Sequence, residues 1–277
     1  MGEQISKIIP PENTENYILS IRLRNDGCYF AISDPATNNS YKGKNIIFAP
    51  NGKTLLQSTE EVVYNHPVLL KNFRKTYIII QSPRFTFIPK AIEEKEDKLN
   101  TYYDFCFPDH TDKILCNEWK KNQLYNLFGV EKEIYAFLKR TFVNPIFLHQ
   151  LTPLCEYFYN RSRTGNNSKM YVHLQKGWMD IACFNKTGML FANSFEYGDI
   201  HDAAYYILNA WEQQGFDQEK DELQLTGDKE PRQTITRIAQ EYIRQVMPSI
   251  FPPQLFKLGK ETLEAPFDLT VIPLCEL

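Results

Sequence analysis

The same order of predicted elements occurs twice along the chain, and this repetition limits the fold more than any single motif does. The stretch "NYILSIRLRNDGCYFAIS" (Asn16–Ser33) has the pattern of a strand, a tight turn and a return strand. The stretch "MYVHLQKGWMDIACF" (Met170–Phe184) has the same pattern. A third strand, a helix, a buried strand and another helix follow in each case. An antiparallel start followed by alternating strands and helices predicts a mixed sheet with helices packed on it.

In the first half, the turn "RNDG" ends in Asp26-Gly27, which predicts a tight hairpin with a positive φ. The segment 58–73 predicts a helix that starts with a capping box of Ser58 and Glu61. Pro67 is expected to break or kink this helix. The apolar run 75–83 predicts a buried parallel strand.

In the second half, Asp199 and Asp202 predict the start of an amphipathic helix that ends near Trp211. A further helix is expected to begin at Pro231. Its predicted buried face consists of Ile235, Ile238, Tyr242 and Val246. The tail "PFDLTVIPLCEL" predicts one last short strand.

The expected domain boundaries follow from loop composition. The first half covers residues 1–165 and carries an inserted subdomain at about 85–131, with a charged helical stretch and a second hairpin. The second half covers residues 166–277, because the polar cluster "RTGNNSK" (Arg163–Lys169) is rich in turn formers. Just before this cluster, Thr152 is predicted as a helix N-cap and Pro153 as the first helical residue.

Composition excludes several classes of protein. With 277 residues, 43% hydrophobic residues and a net charge of -3, the chain can bury a large core and lacks the basic surplus of a nucleic-acid binder. No apolar run approaches the ~20 residues of a membrane helix. The six cysteines form no CxxC pair and the five histidines show no ligand spacing, so we expect buried thiols, no metal site and a cytoplasmic location.

The order of elements resembles the actin-like ATPase fold, in which two ribonuclease-H-like halves flank a central cleft. It looks closest to small bacterial members, such as the actin-like proteins of pilus and secretion machinery. The sequence is also similar to an uncharacterised bacterial family, domain of unknown function 3822, for which no activity is established. The resemblance implies three motifs: two phosphate-binding hairpins that start Asp-x-Gly, and a Gly-Gly turn against adenosine. Their turn amides hold phosphate oxygens and their acids order magnesium or water.

This chain departs from both hairpin motifs. Alignment on the second hairpin puts His173 at the position of the acid and Gln175 at that of the first glycine, while Gly177 stays in the turn. In the first hairpin, Arg22 or Leu23 takes the acid's position, and Asp26-Gly27 lies in the turn itself. His173 is interpreted as a structural strand residue or as a contact to an anion in the cleft.

The third motif is better preserved. "LQLTGD" follows a strand and precedes a helix, although Asp228 replaces the second glycine. Asp228 is either a cap of the following helix or a contact to a ribose hydroxyl. The candidate cofactor-binding residues are therefore Gly27, Gly177, Gly227 and Asp228, and no residue is assigned a catalytic or metal-binding role.

Two functions remain open. Loss of both Asp-x-Gly motifs predicts a degenerate scaffold or protein-binding module, with no cofactor and with a protein partner. The inserted subdomain and its aromatic stretch 100–109 are then candidate docking sites, although core packing also explains the aromatics. The alternative is an ATPase or small-molecule kinase that uses ATP with magnesium and relocated acids at Asp26, Asp180 and Asp228. A ribonuclease-H-like nuclease would need several carboxylates at the strand ends, where this chain has Arg22, His173 and Gln175.

Overall fold

The computed structural model describes residues 14–50, 52–92 and 96–276. The chain divides into two compact units, one formed by Met1–Thr152 with Pro252–Pro273 and the other by Pro153–Phe251 with Leu274–Leu277. This division differs from the expected one at 165/166, because the polar cluster 163–169 leads from a helix to a strand within the second unit. Loop composition marks a turn, but it does not show which unit the flanking segments pack against.

Strands and helices alternate along the chain. The strands are β1 (Ile18–Arg24), β2 (Gly27–Ser33), β3 (Lys42–Ile47), β4 (Lys75–Ile80), β5 (Phe85–Pro89), β6 (Lys113–Trp119), β7 (Leu124–Val130), β8 (Ile146–His149), β9 (Lys169–Gln175), β10 (Trp178–Phe184), β11 (Met189–Glu196), β12 (Glu222–Gly227) and β13 (Gln245–Pro248). The α-helices are α1 (Leu55–Asn65), α2 (Glu96–Cys106), α3 (Lys132–Thr141), α4 (Leu151–Ser162), α5 (Ile200–Gln213), α6 (Lys229–Ala239) and α7 (Phe267–Thr270).

Each unit contains a five-stranded mixed sheet, and the two sheets have the same topology. The strand orders are β3-β2-β1-β4-β8 and β11-β10-β9-β12-β13. In both sheets the first strand is antiparallel to the second and parallel to the fourth. The predicted α/β class with two matched halves of mixed sheet and flanking helices is therefore confirmed.

The first unit also contains a separate antiparallel sheet in the order β5-β7-β6, with α2 packed on it. Its small core consists of Ile88, Leu99, Tyr103 and Leu127. Both the sheet and the helix lie within the segment 85–131 that was expected to be an insertion. Side-chain packing of the insertion on itself explains why the segment interrupts the larger sheet without disturbing its strand order.

The start of α1 differs from the prediction. Thr54 is the N-cap, and its side chain forms a capping box with Gln57 instead of the expected box of Ser58 and Glu61. Ser58 already donates its backbone N–H to the Thr54 carbonyl at 3.0 Å, so it lies inside the helix. Pro67 begins a short 3-10 turn directly after α1, as its missing N–H requires.

The core of the second unit lies between its sheet and the helices α5 and α6. Met170, Val172 and Leu174 of β9 face this core, and the alternate residues of β9 point to the opposite face. That face is also covered, because Phe158 of α4 stacks on Tyr171 with ring centroids 4.5 Å apart. β9 is therefore buried on both sides along its whole length.

The helix boundaries of the second unit are partly as predicted. The capping box of Asp199 and Asp202 is present at the start of α5. However, α6 ends at Ala239, so Tyr242 is exposed in a turn and Val246 belongs to β13. Apolar residues at helical spacing continue beyond the end of α6, because Val246 of β13 also packs in the core.

Two predictions near the ends of the units are wrong. α4 begins at Leu151, so Thr152 is not its cap but donates its hydroxyl to Asn117 Oδ1 at 2.8 Å. The tail contains α7 and 3-10 turns in place of the expected strand, and α7 packs against β1 of the first unit. A short apolar run does not distinguish a strand from a buried helical turn. Among the described helices, none combines the length and the apolar character needed to cross a membrane.

Candidate functional site

The β1–β2 hairpin closes over two loop residues, Asn25 and Asp26, because Arg24 pairs with Gly27 across the strands. The expected positive φ at Gly27 is wrong, since its φ lies outside the left-handed region. Glycine is needed there for another reason: a Cβ would lie 2.5 Å from the carbonyl oxygen of Ile46 on β3. Asp26 forms an ion pair with Arg24 at 2.9 Å, so its carboxylate belongs to the turn.

The acid position of the first hairpin holds a buried cation. Arg22 is 2% exposed, and its Nε donates to Oδ2 of Asp268, which is 0% exposed, over 2.5 Å. Asp268 comes from α7, so the C-terminal tail supplies the counter-ion to β1. Leu23, the other residue considered for this position, is buried in the core. The first hairpin therefore presents no carboxylate at this position.

The β9–β10 hairpin keeps the turn but not the acid. Gly177 has φ +71°, a conformation that favours glycine, and a Cβ would meet nothing closer than 3.8 Å. Tyr197, which follows β11, donates its backbone N–H to the Gly177 carbonyl at 3.1 Å and its hydroxyl to the Gln175 carbonyl. Burial raises the pKa of Tyr197, and the nearby Asp228 carboxylate raises it further.

Gly227 and Asp228 lie directly against this hairpin. Gly227 has φ +93°, and a Cβ there would lie 1.9 Å from the carbonyl oxygen of Leu174. Asp228 donates its backbone N–H to the same carbonyl at 2.8 Å. Its Oδ2 accepts the backbone N–H of Lys176 in the hairpin turn at 3.0 Å. The structure thus brings Gly177, Gly227 and Asp228 together, whereas Gly27 belongs to the other unit.

The predicted capping role of Asp228 is wrong. Asp228 occupies the N-cap position of α6, but its side chain accepts no hydrogen bond from the first turn of that helix. Its carboxylate is used by the Lys176 amide instead. The sequence favoured the helix as the partner of Asp228 because the helix follows it directly. The parallel pairing of β12 with β9 also places the hairpin turn beside Asp228.

His173 belongs to a buried polar row that crosses the second sheet. Its direct cross-strand neighbours are Asp180 on β10 and Thr226 on β12, and Asp180 is followed by Ser194 on β11. His173 Nδ1 lies 3.1 Å from Thr226 Oγ1. Asp180 Oδ1 accepts from Ser194 Oγ at 2.5 Å and from Trp178 Nε1 at 3.1 Å. His173 and Asp180 are 2% and 1% exposed, so this row is internal architecture.

Sequence reasoning missed Thr226, Ser194 and Asp268. Thr226 directly precedes the predicted Gly-Asp turn, so pairing the two parallel strands by their last residues would have placed it beside His173. No sequence signal links Arg22 with Asp268, because the two residues lie at opposite ends of the chain.

Sequence analysis also missed a cavity of about 200 Å³ in the first unit, at the carboxyl ends of β1 and β4. Open α/β sheets commonly bind ligands at this end of their strands. Arg84 in its wall forms a bidentate pair with Asp112 at 2.7 Å and 2.7 Å, and this pairing raises the pKa of Arg84. The Oε1 atom of Gln81, also in the wall, is buried and accepts no hydrogen bond from the described residues.

Among the described residues, no group of three or more His, Cys, Asp or Glu side chains is arranged to hold a metal ion. Four carboxylates at or beside the hairpins have a cation, an indole, a hydroxyl or a backbone amide as a partner: Asp26, Asp180, Asp228 and Asp268.

Two units with this sheet topology, in which each five-stranded sheet begins with a hairpin, define a protein of the actin-like ATPase fold. Residues 7–246 match the model of the family described as "Protein of unknown function (DUF3822)", and the chain belongs to that family.

The solved structures agree with this class. A Bacteroides thetaiotaomicron protein with actin-like ATPase fold and unknown function is 30% identical over 97% of this chain and 99% of that chain, with a TM-score of 0.82. The PilM–PilN type IV pilus biogenesis complex is similar at 13% identity over 92% of this chain and 96% of that chain, with a TM-score of 0.51. At that identity, the second likeness shows the fold alone. A search of curated proteins finds no match.

Proposed function

We propose that this chain is an actin-like protein that does not hydrolyse nucleotide and acts as a scaffold for a protein partner. The observation that carries the proposal is the content of the two acid positions: Arg22 is buried in an ion pair with Asp268, and His173 is buried beside Thr226. Magnesium prefers hard oxygen ligands. Phosphoryl transfer depends on magnesium and on positioned acids, so a guanidinium and an imidazole at these positions remove both contributions.

The contact between Asp228 and the hairpin supports the same conclusion. In active relatives the turn amides bind phosphate oxygens, whereas here a carboxylate of the chain itself accepts the Lys176 N–H at 3.0 Å. A phosphate at this turn would have to displace that carboxylate and would also be repelled by its negative charge. The turn is therefore preserved in shape and is already occupied.

The acids considered for relocation have other partners. Asp26 pairs with Arg24 in the first turn. Asp180 is almost fully buried and binds Trp178 and Ser194. Both carboxylates thus already contact neighbouring side chains, which supports the proposal.

Calorimetry tests the proposal directly. The purified chain is titrated with ATP, ADP and GTP in the presence of Mg²⁺, and phosphate release is followed separately. We expect neither heat of binding nor release above background. Binding with a Kd near 1 μM, equivalent to about -8 kcal/mol, would support the nucleotide-binding alternative, and phosphate release above background would refute the proposal.

The alternative, a nucleotide-binding ATPase or kinase, has one specific observation in its favour. Gln81 lies in the wall of the cavity beside the first hairpin, and its buried Oε1 atom accepts no hydrogen bond from the described residues. Rotation of this side chain would let Oε1 accept a hydrogen bond from a donor group of a ligand. If ATP binds there, Gln81→Met should weaken the measured affinity. Gln123→Met, at an exposed position in the insertion, is the matched control and should leave it unchanged.

For the protein partner, we propose docking on the inserted subdomain. The aromatic residues of the stretch 100–109 differ in burial. Tyr103 is fully buried in the core of the insertion, whereas Phe105 is 88% exposed. Co-purification of a tagged chain from its native cells tests this proposal. Phe105→Ser should lose a partner that Val143→Ser, at another exposed apolar residue, retains. Equal recovery with both variants would contradict docking through Phe105.

We also propose a cytoplasmic location. The six cysteines form no disulfide in the part of the chain that the structure describes, and Cys106 and Cys116 are exposed. Exposed free thiols persist in a reducing compartment and tend to oxidise elsewhere. Fractionation of native cells with an antibody against the chain tests this assignment.

A further inference from the structure

The outer edges of the described sheets differ in how they resist pairing with another chain. An edge strand offers backbone groups to any second strand, and proteins protect such edges with Lys, Pro, short length or side-chain cover. Each described edge strand other than β11 shows one of these features. Lysines lie on β3 (Lys42, Lys44) and β6 (Lys113), and prolines lie on β5 (Pro89) and β13 (Pro248). The backbone of β8 is hydrogen-bonded by the Asn117 side chain.

The edge strand β11 has a different character. Its sequence, "MLFANSFE", contains no Lys, Arg or Pro, and Glu196 at its end is its one charged residue. Its neighbour in the sheet is β10, on one side. The register with β10 shifts between Cys183 and Phe184, so the regular part of the edge runs from Phe191 to Glu196. This stretch is long enough to pair with another strand.

Side chains along this edge alternate between the two faces of the sheet. Phe191 and Phe195 pack against the core on the face covered by α5, and Phe195 stacks on Tyr206 with ring centroids 5.0 Å apart. Ser194 points to the opposite face, where it binds Asp180. Both phenylalanines are only partly buried, so further cover would remove apolar surface from water.

We propose that β11 pairs antiparallel with β11 of a second copy of this chain, about a two-fold axis at Asn193. A two-fold axis perpendicular to the sheet keeps each face continuous, so residues of the same parity must oppose one another. Centring the pair at Asn193 sets Phe191 against the partner's Phe195, twice. It also sets Ala192 against the partner's Ser194.

This register satisfies the physical requirements of a strand pair. The two aromatic pairs extend the core across the axis, and no like charges face each other. The Ser194 N–H, which donates to Asn193 Oδ1 at 2.9 Å, exchanges that acceptor for the Ala192 carbonyl of the partner subunit. Isologous contact closes at two copies. A single strand pair buries less than the ~1,200 Å² of a standard interface, so we expect a Kd on the order of micromolar.

Sedimentation velocity across a concentration series measures the association. The full chain should shift from monomer to dimer. Asn193→Lys and Asn193→Asp should each weaken the dimer about tenfold, because equal charges then meet at the axis. An equimolar mixture of the two variants should restore dimer formation. Ile47→Lys, at an exposed position on the end of β3, is the matched control and should behave like the unmodified chain.

Disulfide trapping tests the register. In antiparallel strands, opposed residues that share no direct hydrogen bonds have their Cα atoms about 4.5 Å apart, a distance that permits a disulfide. The two Asn193 residues form such a pair in the proposed register. In a background with Cys106→Ser and Cys116→Ser, oxidised Asn193→Cys should form a covalent dimer, whereas Ala192→Cys should not. A monomer at all concentrations, a filament, a dimer indifferent to charge at position 193, or equal cross-linking of both cysteine variants would overturn the proposal.

Discussion

Removal of the buried counter-ion of Arg22 should destabilise the protein strongly. Asp268→Leu leaves a guanidinium that is 2% exposed without the carboxylate that lies 2.5 Å from its Nε. Breaking a buried ion pair from one side costs about 3–5 kcal/mol, because the remaining charge loses its partner and cannot reach water. Arg22→Met should cost a similar amount, since it leaves the carboxylate of Asp268 buried.

The double variant separates this explanation from simple loss of packing. Arg22→Met with Asp268→Leu replaces both charged groups by apolar ones, and exchange of a whole buried ion pair for apolar side chains is often neutral or stabilising. We therefore expect the double variant to be more stable than either single variant, with a coupling free energy of about 2 kcal/mol or more. Restoring an acid with Arg22→Asp should be the most damaging change, because it sets two carboxylates against each other in the core.

Urea denaturation at pH 7, followed by tryptophan fluorescence and circular dichroism, measures these free energies of unfolding. Agreement between the two probes is needed before a single transition is assumed, because the chain contains two units. Two results would contradict a buried ion pair between Arg22 and Asp268: a cost below about 1 kcal/mol for Asp268→Leu, or additive effects of the two single variants in the double variant. Either result would mean that the tail does not supply the counter-ion of β1.

Three further predictions follow from the described contacts. Burial lowers the pKa of His149 to about 3, so the folded state favours the neutral ring. The free energy of unfolding should therefore fall as the pH drops from about 6.5 towards 3, by up to about 1.4 kcal/mol per pH unit. The loss between pH 6.5 and 5 should be about 1.6 kcal/mol larger in the unmodified chain than in His149→Gln, and equal losses in urea titrations would contradict this assignment. Gly227→Ala should cost at least about 3 kcal/mol, because a positive φ is combined with a Cβ only 1.9 Å from the Leu174 oxygen. Gly215→Ala, with φ +66° and nothing within 4 Å, should cost only about 1–2 kcal/mol in the same assay, and equal costs would show that the close contact is relieved. Asp228→Gly removes the acceptor of the Lys176 amide, so hydrogen exchange at that amide should accelerate about tenfold; an unchanged rate would show that the carboxylate does not protect the turn.

Local sequence patterns predicted most of the strands and several of the helix starts. The Asp199–Asp202 capping box is a contact between residues three apart, so it is readable from the sequence and appears as expected. The box expected at Ser58 failed because an equivalent one, Thr54 with Gln57, lies just upstream. Sequence preference alone does not choose between two such boxes.

The candidate site was predictable in part. Glycine at 177 and 227 followed from the motif order, and both have the positive φ that glycine permits. At Gly27 the residue was noticed for the wrong reason, since the close approach of the Ile46 carbonyl, and not the turn, excludes a Cβ. The role of Asp228 depends on Lys176, which lies far away in sequence and becomes a neighbour through the pairing of β12 with β9.

The sequence by itself determined the class of fold and the absence of acids from the two hairpin positions, because strand, turn and helix signals act between residues close along the chain. Tertiary structure alone decided which partners the residues at those positions have. Arg22 is neutralised by Asp268 from the far end of the chain, and His173 is aligned with Asp180 and Thr226 by sheet register. A charge or a polar ring is stable in a core only when a partner arrives with the correct geometry, and that partner is chosen by packing over long sequence distances.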